Sequence, residues 1–532
     1  MRRSRTQSAA RLVLALALAG PALALQDPFS PGERWEASAA AGKTPWTPED
    51  VALAGDAAFV WIGLRGGDHA LELYDGVASG NQMPRGVVTR QADETTVPVV
   101  AAGSRGDRVF ALRQSASVSV FRRIPVVFAY DPLQAGHGEE LAPAWLHDMG
   151  LQINGATRIA SNRSGDLVAA AVWDDSRAVT RVDLLSGDDG ALLGRAEFPS
   201  IGLSALDVSA DGSRVAVACG LELHVLDARA RVVHTEPLGS STSAVSLSAD
   251  GSTLAFGQLG ALRTISDLFG FGYGPGLTLP AIGAELPARI DVSADGTMIA
   301  AAWWNYSTGG NVRFEIFDTI FGFSLGSAHF PGHPGAPQNL PTSVRITENG
   351  FRAVMTTWGN GQDPELVVLD AGGFGPTLTI DLPGSARAVA MDATGTRFAV
   401  AHKDVHAQSF GASGAVRLVD SGERSLQTTS TPRLGGKLSM AARFPGATGG
   451  FFLMGTPGAP LAFPGVAGQL LLDRRSLRVI AAAVDGTGRM DLDLPIGADA
   501  SLLGLQMNVQ GAFRTSQGLA LTEHLERPYV LR

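Results

Sequence analysis

A five-residue phrase recurs through the middle of this chain and limits what it can fold into. It reads Val208-Ser209-Ala210-Asp211-Gly212, then Leu247-Ser248-Ala249-Asp250-Gly251, then Val292-Ser293-Ala294-Asp295-Gly296. Degenerate copies stand at Ser164-Gly165, Asn349-Gly350 and Thr394-Gly395, with fainter ones at Arg105-Gly106 and Ala54-Gly55. Each is followed by a short apolar run such as Leu254-Ala255-Phe256 or Phe398-Ala399-Val400. Asp-Gly between two apolar runs marks a β-hairpin, because glycine accepts the positive φ that the turn demands. A second landmark follows each hairpin: an alternating strand ending in aspartate, at Asp75, Asp131, Asp183, Asp227, Asp267, Asp318, Asp370 and Asp420. An aspartate in that place can accept bonds from the following amides and start the next turn.

Eight copies at a period of roughly 50 residues, each with a hairpin, a third strand and room for a fourth, match the blade of a β-propeller. A single blade cannot bury both its faces, so neighbouring blades must cover them, and the inner strands should read as nearly continuous apolar runs. The 65 glycines and 29 prolines among 532 residues agree with a chain punctuated by turns. Helical periodicity is missing, which excludes a helical solenoid. The fold expected is all-β, an eight-bladed propeller with seven blades as the runner-up because the first two units match weakly, followed by a small β-sandwich. The periodicity stops at Thr431, and Pro432-Arg433-Leu434-Gly435-Gly436 reads as a linker. The expected division is a signal peptide over 1–25, an N-terminal segment over 26–50, the propeller over 51–430, the linker over 431–436 and the module over 437–532. Within that module Gln469–Leu472, Leu477–Ile480, Met490–Leu494 and Leu503–Met507 are strand candidates. Glu33-Arg34-Trp35-Glu36-Ala37 is the candidate to close the ring.

The phrase Val-Ser-Ala-Asp-Gly-Ser/Thr-x-apolar-Ala resembles the repeat of bacterial WD40-like, YVTN-type and quinoprotein-dehydrogenase-like propellers. The resemblance covers roughly residues 51–425 and implies the fold superfamily without a particular activity. The stretch from Asp485-Gly486 through Leu519-Ala520-Leu521-Thr522 resembles an uncharacterised C-terminal module on secreted proteins of planctomycete-type bacteria. The adjacent-cysteine disulfide and the tryptophan docking motif of quinoprotein dehydrogenases have no counterpart in this sequence, nor do sialidase repeats.

Export is expected from the first 25 residues. Arg2, Arg3, Arg5 and Arg11 precede an uncharged apolar run from Leu12 to Ala24, and Ala22-Leu23-Ala24 offers a small-x-small cleavage site. That run is shorter than the ~20 residues a membrane span needs, so no transmembrane segment is expected after cleavage. The leader carries four basic residues and no acids, so its loss takes the formal charge from −9 to −13. Such a balance disfavours nucleic acid as a partner. The single cysteine, Cys219, precludes an internal disulfide and stands in a small apolar strand, as a buried core residue does. The protein is therefore expected outside the cytoplasm, extracellular or periplasmic, with attachment to the cell surface as an option, and a monomer is expected.

Chemistry is sparse. Gly322-Phe323-Ser324-Leu325-Gly326 has the nucleophile-elbow pattern but falls where an outer blade strand belongs, with no helix behind it. Gly270-Phe271-Gly272-Tyr273-Gly274 lacks the helix and the Lys-Ser/Thr pair of a phosphate loop. His402 and His406 stand four apart in a non-helical region, and no metal or other cofactor is expected. What remains is a ring of unusual residues. The loops after the second strands emerge opposite the Asp-Gly turns, and they carry Trp173 with Asp174, Trp303 with Asn305, Trp358 with Asn360, and His402 with Asp404. These eight are the candidate ligand-binding residues, tryptophan offering contact area and the polar groups orientation. A binding scaffold for a protein, peptide or glycan is the first expectation. The alternative is an exported propeller enzyme: a quinoprotein-like oxidoreductase, a lactonase or a lyase.

Overall fold

The structure, a computed structural model, describes residues 32–522 and 530, leaving out 40–42, 55–56, 77–82, 92–93, 95–96, 104–107, 117–122, 135–137, 152, 268–269, 306, 308–309, 333–338, 407–412, 423–424, 431 and 465. The expected leader lies outside the described residues. Among those described, no helix is long and apolar enough to cross a membrane.

Among the described residues eight blade sheets follow one another along the chain, antiparallel except where Glu139–Glu140 joins Gly86–Thr89 of the first blade in parallel. The fourth blade is representative: Leu203–Val208, Arg214–Cys219, Glu222–Asp227 and Val232–Pro237 pair in sequence order. The first strand of each blade touches the first strand of the next, and Ala386–Met391 of the last blade touches Trp46–Ala54 of the first, so the ring is closed. Closure also has a covalent logic. Gly32–Ser38 pairs antiparallel with Gly414–Asp420 as the outermost strand of the eighth blade, so the start and end of the ring share one sheet. Trp35 is 1% exposed there and its ring lies 5.6 Å from that of Tyr74 in the first blade.

Blade strands are buried according to their place. In Leu167–Asp174 every residue but Trp173 is buried, whereas the outer Leu192–Pro199 alternates toward solvent. The inter-blade spaces are filled by separate apolar clusters, one at each junction. Val60, Ile62, Val416 and Leu418 meet between the last and first blades, and Val217, Leu226, Val182 and Leu184 between the third and fourth. Cys219 belongs to the latter cluster, and burial pushes its thiol up to about 12.

The recurring phrase is a hydrogen-bonded unit. In the fifth blade the Ser248 hydroxyl donates to Asp250 Oδ1 at 2.8 Å and accepts the Thr253 amide at 2.9 Å, while Asp250 Oδ1 accepts the Ser252 amide at 2.9 Å. Gly251 closes the turn onto the Ser248 carbonyl with φ +69°. The fourth and sixth blades repeat this around Ser209 and Ser293, and the seventh does so with Thr347 and Asn349. Adjacent turns are then tied together: the Asp211 amide donates to the Ala249 carbonyl, Ala249 to Ala294, and Ala294 to Glu348.

The strand-ending aspartates keep more than one kind of partner. Asp131, Asp227, Asp267, Asp318 and Asp420 accept following amides as expected. Asp75, Asp183 and Asp370 pair with arginine, as Asp131, Asp227 and Asp420 also do, Asp183 from inside Val179–Ser186 with Arg181, Arg195 and His147 around it. A carboxylate with no exposure there has to be matched by charge.

The remaining chain forms a smaller β-sandwich-like module. Leu426–Thr428, Lys437–Arg443 and Arg489–Pro495 make one sheet, and Val466–Ala467, Gly518–Leu521, Asn508–Thr515, Gly449–Gly455 and Arg478–Ala482 the other. Leu438, Met440, Phe452, Met490 and Phe513 fill the space between them. Leu426–Thr428, which the sequence pattern leaves with the ring, pairs with Lys437–Arg443, so the last paired ring residue is Asp420. Leu503–Met507 is not a strand: Asp499 caps a short turn by accepting the Ser501 amide at 2.9 Å, and Gly504 at φ +75° breaks the extended backbone.

Candidate functional site

In an antiparallel blade the first turn and the loop after the second strand lie at opposite ends of the sheet, so the candidate residues of blades three, six, seven and eight occupy one face of the ring. They are not equally available. The Trp173 indole is half-buried and donates to the Ser200 carbonyl at 3.2 Å. Trp358 is half-buried with the Arg387 guanidinium 5.9 Å from its ring, and Asp404 is exposed. Trp303 is 1% exposed, edge-on to Phe317 and capped by Arg313 at 4.6 Å, in the cluster between blades five and six. His402 is buried with Nδ1 2.9 Å from the Lys403 carbonyl, and burial lowers its pKa.

The three polar partners of the tryptophans shape their own loops. Asp174 Oδ1 accepts the Ser176 amide and hydroxyl, Asn305 Oδ1 accepts the Ser307 amide and hydroxyl, and Asn360 Oδ1 accepts the Gln362 and Asp363 amides. Each is an Asx turn, in which the side chain stands in for a backbone acceptor. The sequence spacing that places them after a strand end is also the spacing that folds the loop.

The same face holds a group that sequence spacing does not bring together. Glu365, at the start of the third strand of blade seven, has no exposure, and burial pushes its carboxyl up to about 8 against the lowering bond from the Leu382 amide. Asp381 raises it further, and His406 Nδ1 from blade eight lies 3.4 Å from Oε1. His406 therefore faces Glu365, while His402 faces the Lys403 carbonyl.

Inside the ring the first strands carry charges. Asp207, Ser246, Asp291 and Arg345 occupy the same place in four successive blades, directly before Val208, Leu247, Val292 and Ile346. Asp207 Oδ2 accepts the Leu247 amide at 2.8 Å, Asp291 Oδ2 the Ile346 amide at 2.8 Å, and Asp50 Oδ2 the Val100 amide at 2.9 Å, each bond crossing to the next blade. Arg158 and Arg289 likewise donate to the Ser204 and Thr342 carbonyls of the following blades. Burial raises Asp207 to about 7 and Asp50 to about 6, and raises Asp291 as well, with the positive charge of Arg345 opposing in all three. Burial lowers Arg289, and Arg158 and Arg345 add to that by repulsion. Arg158 and Arg345 are nonetheless exposed to solvent while enclosed by the ring, so water reaches the channel wall they line. Such a wall can bind carboxylate or ammonium groups by charge-assisted hydrogen bonds. Among the described residues no group of three or more His, Cys, Asp or Glu side chains is arranged to hold a metal ion. The signal in the sequence is an acid inside an apolar strand, Leu206-Asp207-Val208 and Ile290-Asp291-Val292, which an expectation of continuously apolar inner strands does not single out.

Ser324 opens the outer strand Ser324–Phe330, its hydroxyl 3.2 Å from Glu315 Oε1. Gly272 lies in the turn between the third and fourth strands of blade five, its amide donating to Asp267.

No protein-family model matches this chain, and no curated protein matches it. Among solved structures it is similar to the β-propeller domain of Cps50 (Swd1) from Myceliophteria thermophila, at 13% identity and a TM-score of 0.41, over 63% of this chain and 96% of that one. The assignment of eight blades rests on the strand pairing and the closed ring of inner strands.

Proposed function

We propose that this chain is an exported bacterial binding scaffold whose propeller recognises a protein, peptide or glycan across the loop face, with the C-terminal module attaching or presenting it. The observation that carries this reading is the inequality of the two faces. The turns of blades four to seven repeat a single hydrogen-bonded unit on one face, whereas the loops after the second strands range from two residues between Cys219 and Glu222 to ten between Lys403 and Gly414. Rigid blades permit such variation without cost to the core, which is why recognition concentrates on loops. Trp173, Asn305, Trp358 and Asp404 are the members of the candidate set that keep solvent exposure. The Arg-rich start followed by an apolar run and a small-x-small site supports export.

The test is to screen the purified protein against peptide and glycan arrays, then to measure the best ligand with Trp173→Ala and Trp358→Ala. Each anchor should contribute about 2 kcal/mol, or roughly thirtyfold in affinity, measured at a temperature where both variants are fully folded. Undiminished binding by the double variant would reject the loop face. An absorbance spectrum that changes on adding quinone and calcium would favour the enzyme alternative instead.

A further inference from the structure

The C-terminal module has a cavity of its own. Successive side chains of a strand point to opposite faces of its sheet. In the sheet containing Gly449–Gly455 and Asn508–Thr515, Phe452, Val509 and Phe513 enter the module core, and Leu453 and Ala512 face the other way. The hairpin Pro457–Ala462 with Gln469–Leu472 covers part of that outer face, burying Leu453, Leu470, Leu472, Ala512 and Leu521 together. Beside the hairpin the face stays open over a cavity of about 400 Å³. Phe451, Val479 and Leu519 at its edge are 38%, 59% and 38% exposed, although a sheet face this apolar is normally covered.

One lining residue is charged. Arg474 stands among otherwise apolar walls, and among the described residues it makes no ion pair or hydrogen bond. Arg475 and Arg478 are exposed in the same segment, while the neighbouring Asp473 is engaged in its own turn, accepting the Arg475 amide at 2.9 Å. The mouth is therefore locally cationic in a chain whose formal charge is −9. A volume of this size lies within the range of small-molecule sites, which pair an apolar wall with a few polar groups that fix orientation.

We propose that this cavity binds a free single-chain anionic amphiphile, its alkyl chain lying against the outer sheet face and its carboxylate pairing with the Arg474 guanidinium. Chain burial supplies the affinity, and the charge-assisted bond selects an anionic head over a neutral or cationic one.

The test uses the full chain and three twelve-carbon probes titrated calorimetrically: dodecanoate and dodecyltrimethylammonium below their micellar concentrations, and dodecanol below its solubility limit. Dodecanoate should bind one to one, with the ammonium probe at least about tenfold weaker. Arg474→Gln should weaken dodecanoate by about tenfold and leave dodecanol unchanged. Ala512→Phe, which fills the cavity, should abolish binding of all three; should that variant unfold at lower temperature, Leu519→Asp decides by repelling dodecanoate while leaving the ring intact. The proposal is overturned if dodecanoate does not bind, or if its binding is unchanged in Arg474→Gln. Binding to phosphatidylglycerol vesicles without binding of monomeric dodecanoate would overturn it too, since the site would then be reading a membrane surface.

Discussion

The two faces of the ring are built on opposite principles. On the turn face the same four side-chain and backbone bonds recur around Ser209, Ser248, Ser293 and Thr347, and each turn is tied to the next. On the loop face the exits differ in length and kind: an Asx turn in blades three, six and seven, and a bare two-residue turn in blades one, four and five. Repetition where blades must dock, and variation where they need not, separates the structural face from the one free to recognise a ligand.

The sharpest challenge to that division is Trp303, which reaches the loop face yet belongs to the core. Trp303→Ala should cost about 3–5 kcal/mol by leaving a cavity between blades five and six. Chemical unfolding checks this; a near-neutral result would move Trp303 back among the binding residues. On the turn face, Gly251 sits at φ +69° with the Arg214 side chain of the preceding blade 2.4 Å from where a Cβ would stand. Gly251→Ala should therefore cost about 2–3 kcal/mol. Gly260→Ala on the loop face, at φ +87° with open space around it, should cost only the conformational part, about 1 kcal/mol. Equal losses at the two glycines would erase the proposed contrast in inter-blade docking.

The channel between the faces gives a pH-dependent test. Asp207 has its folded pKa raised by burial to about 7, above the ordinary 3.8. Its contribution to stability is thus fully present below about pH 4 and is lost as the pH rises through about 7. Asp207→Asn stays neutral and can still accept the Leu247 amide, so it should flatten the loss between pH 4 and 7 and gain about 1–3 kcal/mol at pH 8. Unfolding at pH 5 and pH 8 reads this directly, and an unchanged slope would mean that the carboxylate is adequately solvated by the channel. A smaller effect than at Trp303 is expected for Trp358→Ala, about 1–2 kcal/mol, because that ring is only partly buried, while Trp173→Ala also loses the bond to the Ser200 carbonyl and packing on the cluster between blades three and four.

Legibility in the sequence followed the physical range of each interaction. Ser248, Asp250 and Gly251 bond within six residues of one another, so their pattern is visible in the chain itself. The closing strand was legible as well, through Trp35 and Ala37 alternating with charged residues. The roles of Asp174, Asn305 and Asn360 were only half legible: their place on the loop face was, but a residue type suited to hydrogen-bonding a ligand is equally suited to hydrogen-bonding its own loop. Asp183 departs from the turn pattern because it lies inside Val179–Ser186 rather than at its end, with Arg195 of the neighbouring strand against it.

The sequence alone determined the all-β class, the period and the hairpin turns, because these depend on contacts local along the chain or on a repeat that copies itself. Only the tertiary structure decided which of the candidate side chains remain accessible. It also decided that Asp50, Asp207 and Asp291 share a channel with Arg158, Arg289 and Arg345, and that the outer sheet face of the C-terminal module opens beside Arg474. Burial and charge pairing depend on which distant strands are brought together, and closing the ring is what fixes those neighbours.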